Sequence, residues 1–388
     1  MSGYLNDERR LIQQSAREFT EAEVLPVANR LDPEKGQIPR ELIQKMGEMG
    51  YFGILIPEEY GGLGLGVFEY CLVAEELARG WMSVASLIAR GNSFYRSVPG
   101  YGDGRRERIE RMAVGDYLGA FAMSEPNAGS DVAALSCRAR RDGSDWIING
   151  NKYWCTFADE ADFINVVCRV ETDDGARQAG LKSIAVEKPR GQLPEGVSGA
   201  PIPKIGYHGW KTFELAFDNV RVPSLDGPAD DARSRGSGGF VGIQQGLEVA
   251  RAHTAARSIG LAAGALQVAV DYAQERVQFG RPIAKFQAIR FKIATMATEI
   301  EAARQLMHYV CSEIDSGRRC DKEAAMVKYF AAEMSERVTS EALQVLGGAG
   351  YTTHYPVERF WRDARLTKIF EGTSEIMQRI ISDRILGK

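Results

Sequence analysis

The chain has 388 residues, and its 48 Lys+Arg against 52 Asp+Glu leave a formal net charge of −4, a balance that disfavours nucleic acid and anionic membrane surfaces as partners. Apolar residues make up 44% and charged residues 26%, the mixture of a compact globular protein, which excludes disorder, collagen and coiled coil as dominant states. At roughly 150 residues per domain, two or three domains are expected. The start, MSGYLNDERRLIQQSAREF, is charged and lacks an apolar h-region, so no secretory signal is expected. Nor does any apolar run approach the roughly 18 residues of a membrane span, and a soluble, cytoplasmic protein follows as the expectation. Cysteines 71, 137, 155, 168, 311 and 320 form no CxxC pair, and histidines 208, 253, 308 and 354 have no metal-ligand spacing. Reduced thiols and no metal site are therefore expected.

In chain order, three zones differ in period. From about Asn6 to Gly115 apolar residues recur at helical spacing (Leu11, Ala16, Phe19, Val24; Leu42, Met46, Met49), broken by the Gly/Pro-rich segment 56–66. From about Tyr117 to Pro223, short runs rich in β-branched and aromatic residues, such as DFINVVCRV and FELAFDNVRV, predict strands. Asn149-Gly150 there predicts a two-residue hairpin turn. The polar stretch 225–239 reads as a connection, and beyond it helical patterns run over about 240–275, 284–316, 321–346 and after Thr373. Pro282 divides the first two, and Gly347-Gly348-Ala349-Gly350 ends the third. The predicted fold class is α+β: a helical domain over 1–116, a β domain over 117–224 and a four-helix bundle over 225–388.

Common nucleotide fingerprints (GxGxxG after a strand, GxxxxGK[ST], GxSxG) are absent. Five other segments attract attention. Phe121–Asp131 is a strand running into a small-residue turn, where backbone N–H groups and the Ser124 and Ser130 hydroxyls can meet an anion or a ring edge. Trp154 and Thr156, two residues apart on a strand, are expected to face one side. At Glu371–Glu375, Thr373 or Ser374 can cap the terminal helix, and Gly372 permits close approach beside Glu371. Gln344–Gly348 and Glu275–Gly280 complete the set. Each alone is equally an ordinary loop, core Trp or surface charge.

Together, PEEYGGLG, MSEPNAGSD, INGNKYWCT, GLEVAR, ERVQFGRPI, QVLGGAGY and FEGTSE, in this order over the whole chain, resemble the acyl-CoA dehydrogenase family. The resemblance implies a helical N-terminal domain, a β-barrel-like middle domain and a C-terminal four-helix bundle, with FAD as cofactor. It implies that Phe121, Met123, Ser124, Gly129 and Ser130 contact the flavin or its diphosphate, with Trp154 on the ring system and Thr156 near its reactive nitrogen. Arg276, Gln287 and the Gln344–Gly348 loop, with Gln344, Gly347 and Gly348, are implied to take the adenine-side half from a neighbouring subunit, in a homotetramer built as a dimer of dimers. Phe279, Thr373 and Glu375 are implied FAD contacts as well. Glu371 resembles the base that removes the α-proton while the β-hydrogen leaves as hydride to the flavin. Electrons then pass to electron-transferring flavoprotein.

By the same resemblance, Ser130, Glu248, Arg251 and Gly372 hold the acyl-CoA substrate. Glu248 and Arg251 are equally spaced for an ion pair one turn apart on a helix. Some members carry the base before the arginine of GLxxxR, but here that position is Ala250 and Glu371 is present. Arg90 falls at the far end of the implied acyl cavity, where an arginine is costly unless it meets an anion. A substrate carboxylate would explain it, while pairing with a neighbouring acid or exposure to solvent is the alternative. Residues 251–328 look particularly like methylsuccinyl-CoA dehydrogenase, which has a long N-terminal extension missing here. The expected activity is dehydrogenation of a short, branched acyl-CoA thioester, with a dicarboxylic one such as methylsuccinyl-CoA (to mesaconyl-CoA) as the sharper expectation. A butyryl-CoA-like monocarboxylic substrate, a flavin oxidase or monooxygenase, and a non-catalytic subunit on the same fold are the alternatives.

Overall fold

The computed structural model describes residues 3–100, 102–170, 180–223 and 238–387, the last stretch with side chains from residue 247 onward. The expected connection and the boundary at 224/225 fall outside the described residues, apart from the start of the following helix. The chain opens with helices α1 (Asp7–Phe19), α2 (Leu25–Leu31), α3 (Arg40–Glu48), α4 (Val67–Gly80), α5 (Met82–Leu87), α6 (Ala89–Asn92) and α7 (Gly102–Ala113). Asn6 caps α1 by accepting from the Arg9 N–H at 2.8 Å. α4 is buried almost all round, so its carboxylates need partners inside the protein. Glu69 pairs with Arg9 at 2.6 Å, Glu76 with Arg17 at 2.8 Å, and Glu75 with Arg304 at 2.8 Å.

Strands β1 (Gly119–Ala122), β2 (Arg138–Asp142), β3 (Asp145–Thr156), β4 (Phe163–Val170), β5 (Leu181–Glu187), β6 (Val197–Pro201) and β7 (Thr212–Val222) form one curled seven-stranded sheet. Its order is β1-β4-β2-β3-β7-β6, with β5 on the other edge of β4. The hairpin expected at Asn149-Gly150 does not form: β3 runs straight through it, and the turn lies earlier, at Gly143 (φ +63°), between β2 and β3. Gly150 is instead a site of close backbone approach. A Cβ there would stand 2.7 Å from the Cα of Cys137, the residue just before β2, which only glycine avoids.

A 38-residue helix, α8 (Gly238–Glu275), opens the last zone. A short hairpin of β8 (Val277–Gln278) and β9 (Arg281–Pro282) leads to α9 (Gln287–Asp315), α10 (Asp321–Leu346), α11 (Val357–Thr367) and α12 (Ser374–Ile385). Helix α11 was not anticipated; it buries Val357, Phe360 and Ala364 at helical spacing, but is short and lies between stronger motifs. Gly347 ends α10 at φ +60°, as expected of a glycine stop. α8 lies directly on α4: a Cβ on Gly260 would meet the Glu75 carbonyl oxygen at 2.2 Å. This contact sets the end of α5–α6 beside the middle of α8, where the site assembles. Among the described residues all six cysteines are free and buried, and no helix is long and apolar enough to cross a membrane.

Candidate active site

Glu371 sits in the loop between α11 and α12, with backbone angles that few side chains adopt: φ is +53° at Glu371 and +94° at Gly372. Several contacts hold it there. Thr373 caps α12, its hydroxyl accepting from the Ile376 N–H at 3.3 Å. Lys328, buried on α10, donates to the Gly372 carbonyl, and the Ser374 hydroxyl donates to Glu333 at 2.7 Å. Burial pushes the Lys328 amine down to about 8, against the opposing pull of Glu371. The Glu371 backbone N–H makes no hydrogen bond to another described residue, and so stays available to an acceptor.

The Glu371 carboxylate, about a third exposed, meets α8. Arg257 donates to one oxygen at 2.8 Å and the Thr254 hydroxyl to the other. The Arg257 guanidinium also donates to the Ser86 hydroxyl on α5 at 2.7 Å and lies 4.8 Å from the Phe370 ring. Burial works against its charge, yet Glu371 and Tyr207 outweigh burial and hold it above its ordinary value. None of Arg257, Thr254, Ser86 or Lys328 was singled out in the sequence. The available signal was a lone charge in a small-residue or apolar helical run, AHTAARSIGLAAGAL for Arg257 and AAMVKYFAA for Lys328.

Arg90, on α6, makes neither an ion pair nor a hydrogen bond among the described residues, and its buried Nε has no partner. Its guanidinium lies 5.2 Å from Trp210, 5.9 Å from Phe157 and 6.0 Å from Phe94. Burial pushes it below its ordinary value, partly offset by Tyr207, Cys155 and Glu371. Of the two alternatives to an incoming anion, pairing with a neighbouring acid is absent among the described residues, while the side chain keeps partial exposure to solvent. Tyr207, whose ring packs against Trp210 and Phe370, links the Arg90 side of the site to the Arg257 side.

On the sheet, the turn after β1 is stitched to β3. Lys152, fully buried, donates at 2.8 Å to both the Met123 carbonyl and Glu125, and Glu125 accepts from Ser136 and Cys137. The Tyr153 N–H donates to the Ser124 carbonyl at 2.8 Å. Replacing Lys152 by Met would strand Glu125 as a buried charge, so a loss of about 3 kcal/mol in unfolding free energy is expected. Urea denaturation of Lys152→Met beside wild type measures it; a loss below about 1 kcal/mol, the worth of a surface pair, would contradict the assigned burial.

Trp154 leaves the ladder at a register break between Lys152 and Cys155, with φ +64°, so a bulge rather than simple alternation places it. Its indole is 55% exposed. Thr156 remains in register and exchanges a 3.0 Å hydrogen bond with Thr212. Phe121 and Met123 are half-buried, Gly129 and Ser130 exposed, and nothing lies within 4 Å of where a Gly129 Cβ would stand.

A second group stands apart. Arg276, Phe279, Gln287, Gln344, Gly347 and Gly348 are all exposed, Phe279 at 93%. Gln287 and Gln344 lie at the same end of the antiparallel pair α9–α10, where Lys292 bonds Glu341. No hydrogen bond, ion pair or ring contact joins this group to Trp154 or the Phe121–Asp131 turn. Glu375 is exposed beside Thr373. Glu248 and Arg251 form no ion pair; Arg251 is buried with its Nε unpartnered, and the Cys320 thiol lies 3.8 Å from Glu248.

The sheet thus carries a half-exposed Trp154, hydroxyls at Ser124, Ser130 and Thr156, and a small-residue turn with open space beside Gly129, while the loop before α12 carries a carboxylate at positive φ. That donor set fits a planar redox ring with an anionic tail and a C–H acid beside it. Three family models match the chain: the N-terminal domain of acyl-CoA dehydrogenase over residues 6–108, the middle domain over 120–220 and the C-terminal domain over 237–386. The chain belongs to the acyl-CoA dehydrogenase family. It is an FAD-dependent oxidoreductase of this family.

Similarity runs over nearly the full length. The (2S)-methylsuccinyl-CoA dehydrogenase of Cereibacter sphaeroides is 37% identical over 98% of this chain and 70% of that protein. Human mitochondrial short-chain specific acyl-CoA dehydrogenase is 36% identical over 98% of this chain and 91% of its own. A solved structure of the electron transferring flavoprotein of Acidaminococcus fermentans, concerned with flavin-based electron bifurcation, superposes with a TM-score of 0.91 at 35% identity over 100% of both chains.

Proposed function

We propose that this acyl-CoA dehydrogenase oxidises a short, branched, dicarboxylic acyl-CoA thioester of the methylsuccinyl-CoA class. The observation that carries the reading is Arg90, a partly buried arginine flanked by three aromatic rings with no acid partner among the described residues. Identity does not separate the candidates, since a dicarboxylic and a monocarboxylic relative stand at 37% and 36%. Charge does. Arg90, Arg257 and Lys328 all feel Glu371, with Glu333 as a further carboxylate near Lys328, and of the three cations only Arg90 makes no hydrogen bond among the described residues, so a carboxylate delivered by the substrate would pair with it.

In this reading Glu371 takes the α-proton, and its backbone N–H donates to the thioester carbonyl as the enolate charge develops. When bound, FAD supplies the acceptor for the β-hydrogen as hydride, which leaves a C=C bond. Trp154, Thr156, Ser124, Ser130 and the Gly129 turn, with Phe121 and Met123 behind them, hold the flavin half. Arg251, Glu248 and Gly372 hold the CoA side. The exposed group Arg276, Gln287 and Gln344–Gly348 completes the FAD site of another copy in a homotetramer, and Phe279, Thr373 and Glu375 are further FAD contacts. Electron-transferring flavoprotein takes the electrons. The three domains are taken as 1–116, 117–224 and 225–388.

The test is a panel of thioesters given to the FAD-loaded protein with an artificial electron acceptor. Methylsuccinyl-CoA is expected to give a kcat/KM at least about tenfold above butyryl-CoA, since a charge-assisted hydrogen bond contributes about 1.5–3 kcal/mol. Equal or better turnover of butyryl-CoA would remove the dicarboxylic assignment and leave the monocarboxylic one.

A further inference from the structure

Arg257 does more than balance a charge. It is fully buried, and its planar head reaches three separate elements: Glu371 in the loop before α12, Thr254 on its own helix at 3.0 Å, and Ser86 on α5 at 2.7 Å. Thr254 in turn donates to the second oxygen of Glu371, so the carboxylate is gripped at both oxygens by groups one turn apart on α8. Ser86 precedes Arg90 by four residues, and α5 runs directly into α6. Behind this fork, His253 stacks on Tyr70 with ring centroids 4.6 Å apart and meets the Ala85 carbonyl at 3.1 Å, which pins the same turn of α8 to α5. The guanidinium therefore spans the two parts of the site that have to face one acyl chain from different directions.

The backbone explains why such a support is needed. With Glu371 and Gly372 both at positive φ, the loop holds a conformation that side-chain-bearing residues rarely adopt unless contacts enforce it. Lys328 and Thr373 fix its main chain, but neither touches the carboxylate. Only Arg257 and Thr254 do so among the described residues.

We infer that Arg257, with Thr254, is a positioning residue: it fixes the orientation of the Glu371 carboxylate and ties it to the helix segment that carries Arg90. The inference rests on Glu371 being the base. A group of this kind acts on the geometry of proton removal rather than on capture of substrate, because it is fully buried and spends its donors on Glu371, Thr254 and Ser86. Misplacement of a reacting group by about 1 Å costs on the order of 100-fold in rate.

The test uses FAD-loaded enzyme and whichever of methylsuccinyl-CoA and butyryl-CoA turns over faster. Arg257→Met is expected to lower kcat about 30- to 100-fold with KM changed less than about threefold, and Arg257→Lys, which keeps a donor of the same charge, recovers part of the loss. Thr254→Val, nearly isosteric, is expected to lower kcat about fivefold, the worth of one hydrogen bond. If Arg257→Met does not fold, Thr254→Val decides alone. Wild-type kcat in the folded variants, or a loss confined to KM, overturns the inference. Glu371→Gln separates the two levels: if it retains turnover the base assignment fails, whereas an inactive Glu371→Gln beside a fully active Arg257→Met overturns the positioning role only.

Discussion

Glu371→Gln is expected to abolish turnover by about 1,000-fold or more while FAD remains bound, because a positioned general base contributes about 100- to 10,000-fold and the amide cannot accept the proton. The substitution is nearly isosteric: the amide oxygen can accept from Arg257 while the amide NH2 donates to the Thr254 hydroxyl, whose proton stays on the Ala250 carbonyl, and the loop keeps its capping and Lys328 contacts. The nearby carboxylates are already engaged: Glu333 and Glu336 both pair with Lys368, and Glu333 also accepts from the Ser374 hydroxyl. No second carboxylate bonds Arg257 or Thr254 among the described residues. The measurement is single-turnover bleaching of the flavin absorbance on mixing with thioester. Bleaching at the wild-type rate would place the base elsewhere.

Arg90→Gln is expected to lower the ratio of kcat/KM for methylsuccinyl-CoA over butyryl-CoA by about 100-fold, since loss of one member of a buried, hydrogen-bonded charge pair costs about 2–5 kcal/mol. The wild-type guanidinium lies among Phe94, Phe157 and Trp210, where nothing else described neutralises it. A substrate carboxylate arriving there would be flanked by aromatic rings and held by a planar donor. Steady-state kinetics of both thioesters on both proteins gives the ratio directly. An unchanged ratio would mean that Arg90 does not read a substrate carboxylate.

Much of the architecture is legible in local patterns. The change from a helical to a strand period near residue 117 and back after 223 marks the three zones, because burying one face of a helix or of a sheet imposes its period on the sequence. Helix ends at 275, 315 and 346 follow from Gly, Pro and polar stops. The Asn149-Gly150 signal misled because the same dipeptide that suits a tight turn also suits a strand pressed against another backbone, and the contact with Cys137 lies outside any local window. Trp154 was found for its residue type, yet the bulge that turns it out of the sheet has no sequence marker beyond the motif itself.

What the sequence by itself determined is the chain's family, its cofactor class and the residue types set along it: a carboxylate beside Gly372, an indole near a small-residue turn, an arginine at position 90. Tertiary structure alone decided which groups meet. Glu371 finds Arg257 across 114 residues and Lys328 finds the Gly372 carbonyl across 44, while Lys152 reaches Glu125 from the next strand but one in the chain. A charged residue in an apolar run shows in sequence only as a cost, because burial of a charge is unfavourable until its partner arrives. The identity of that partner is set by how α8 crosses α4 and how the last loop folds back, which no local period encodes.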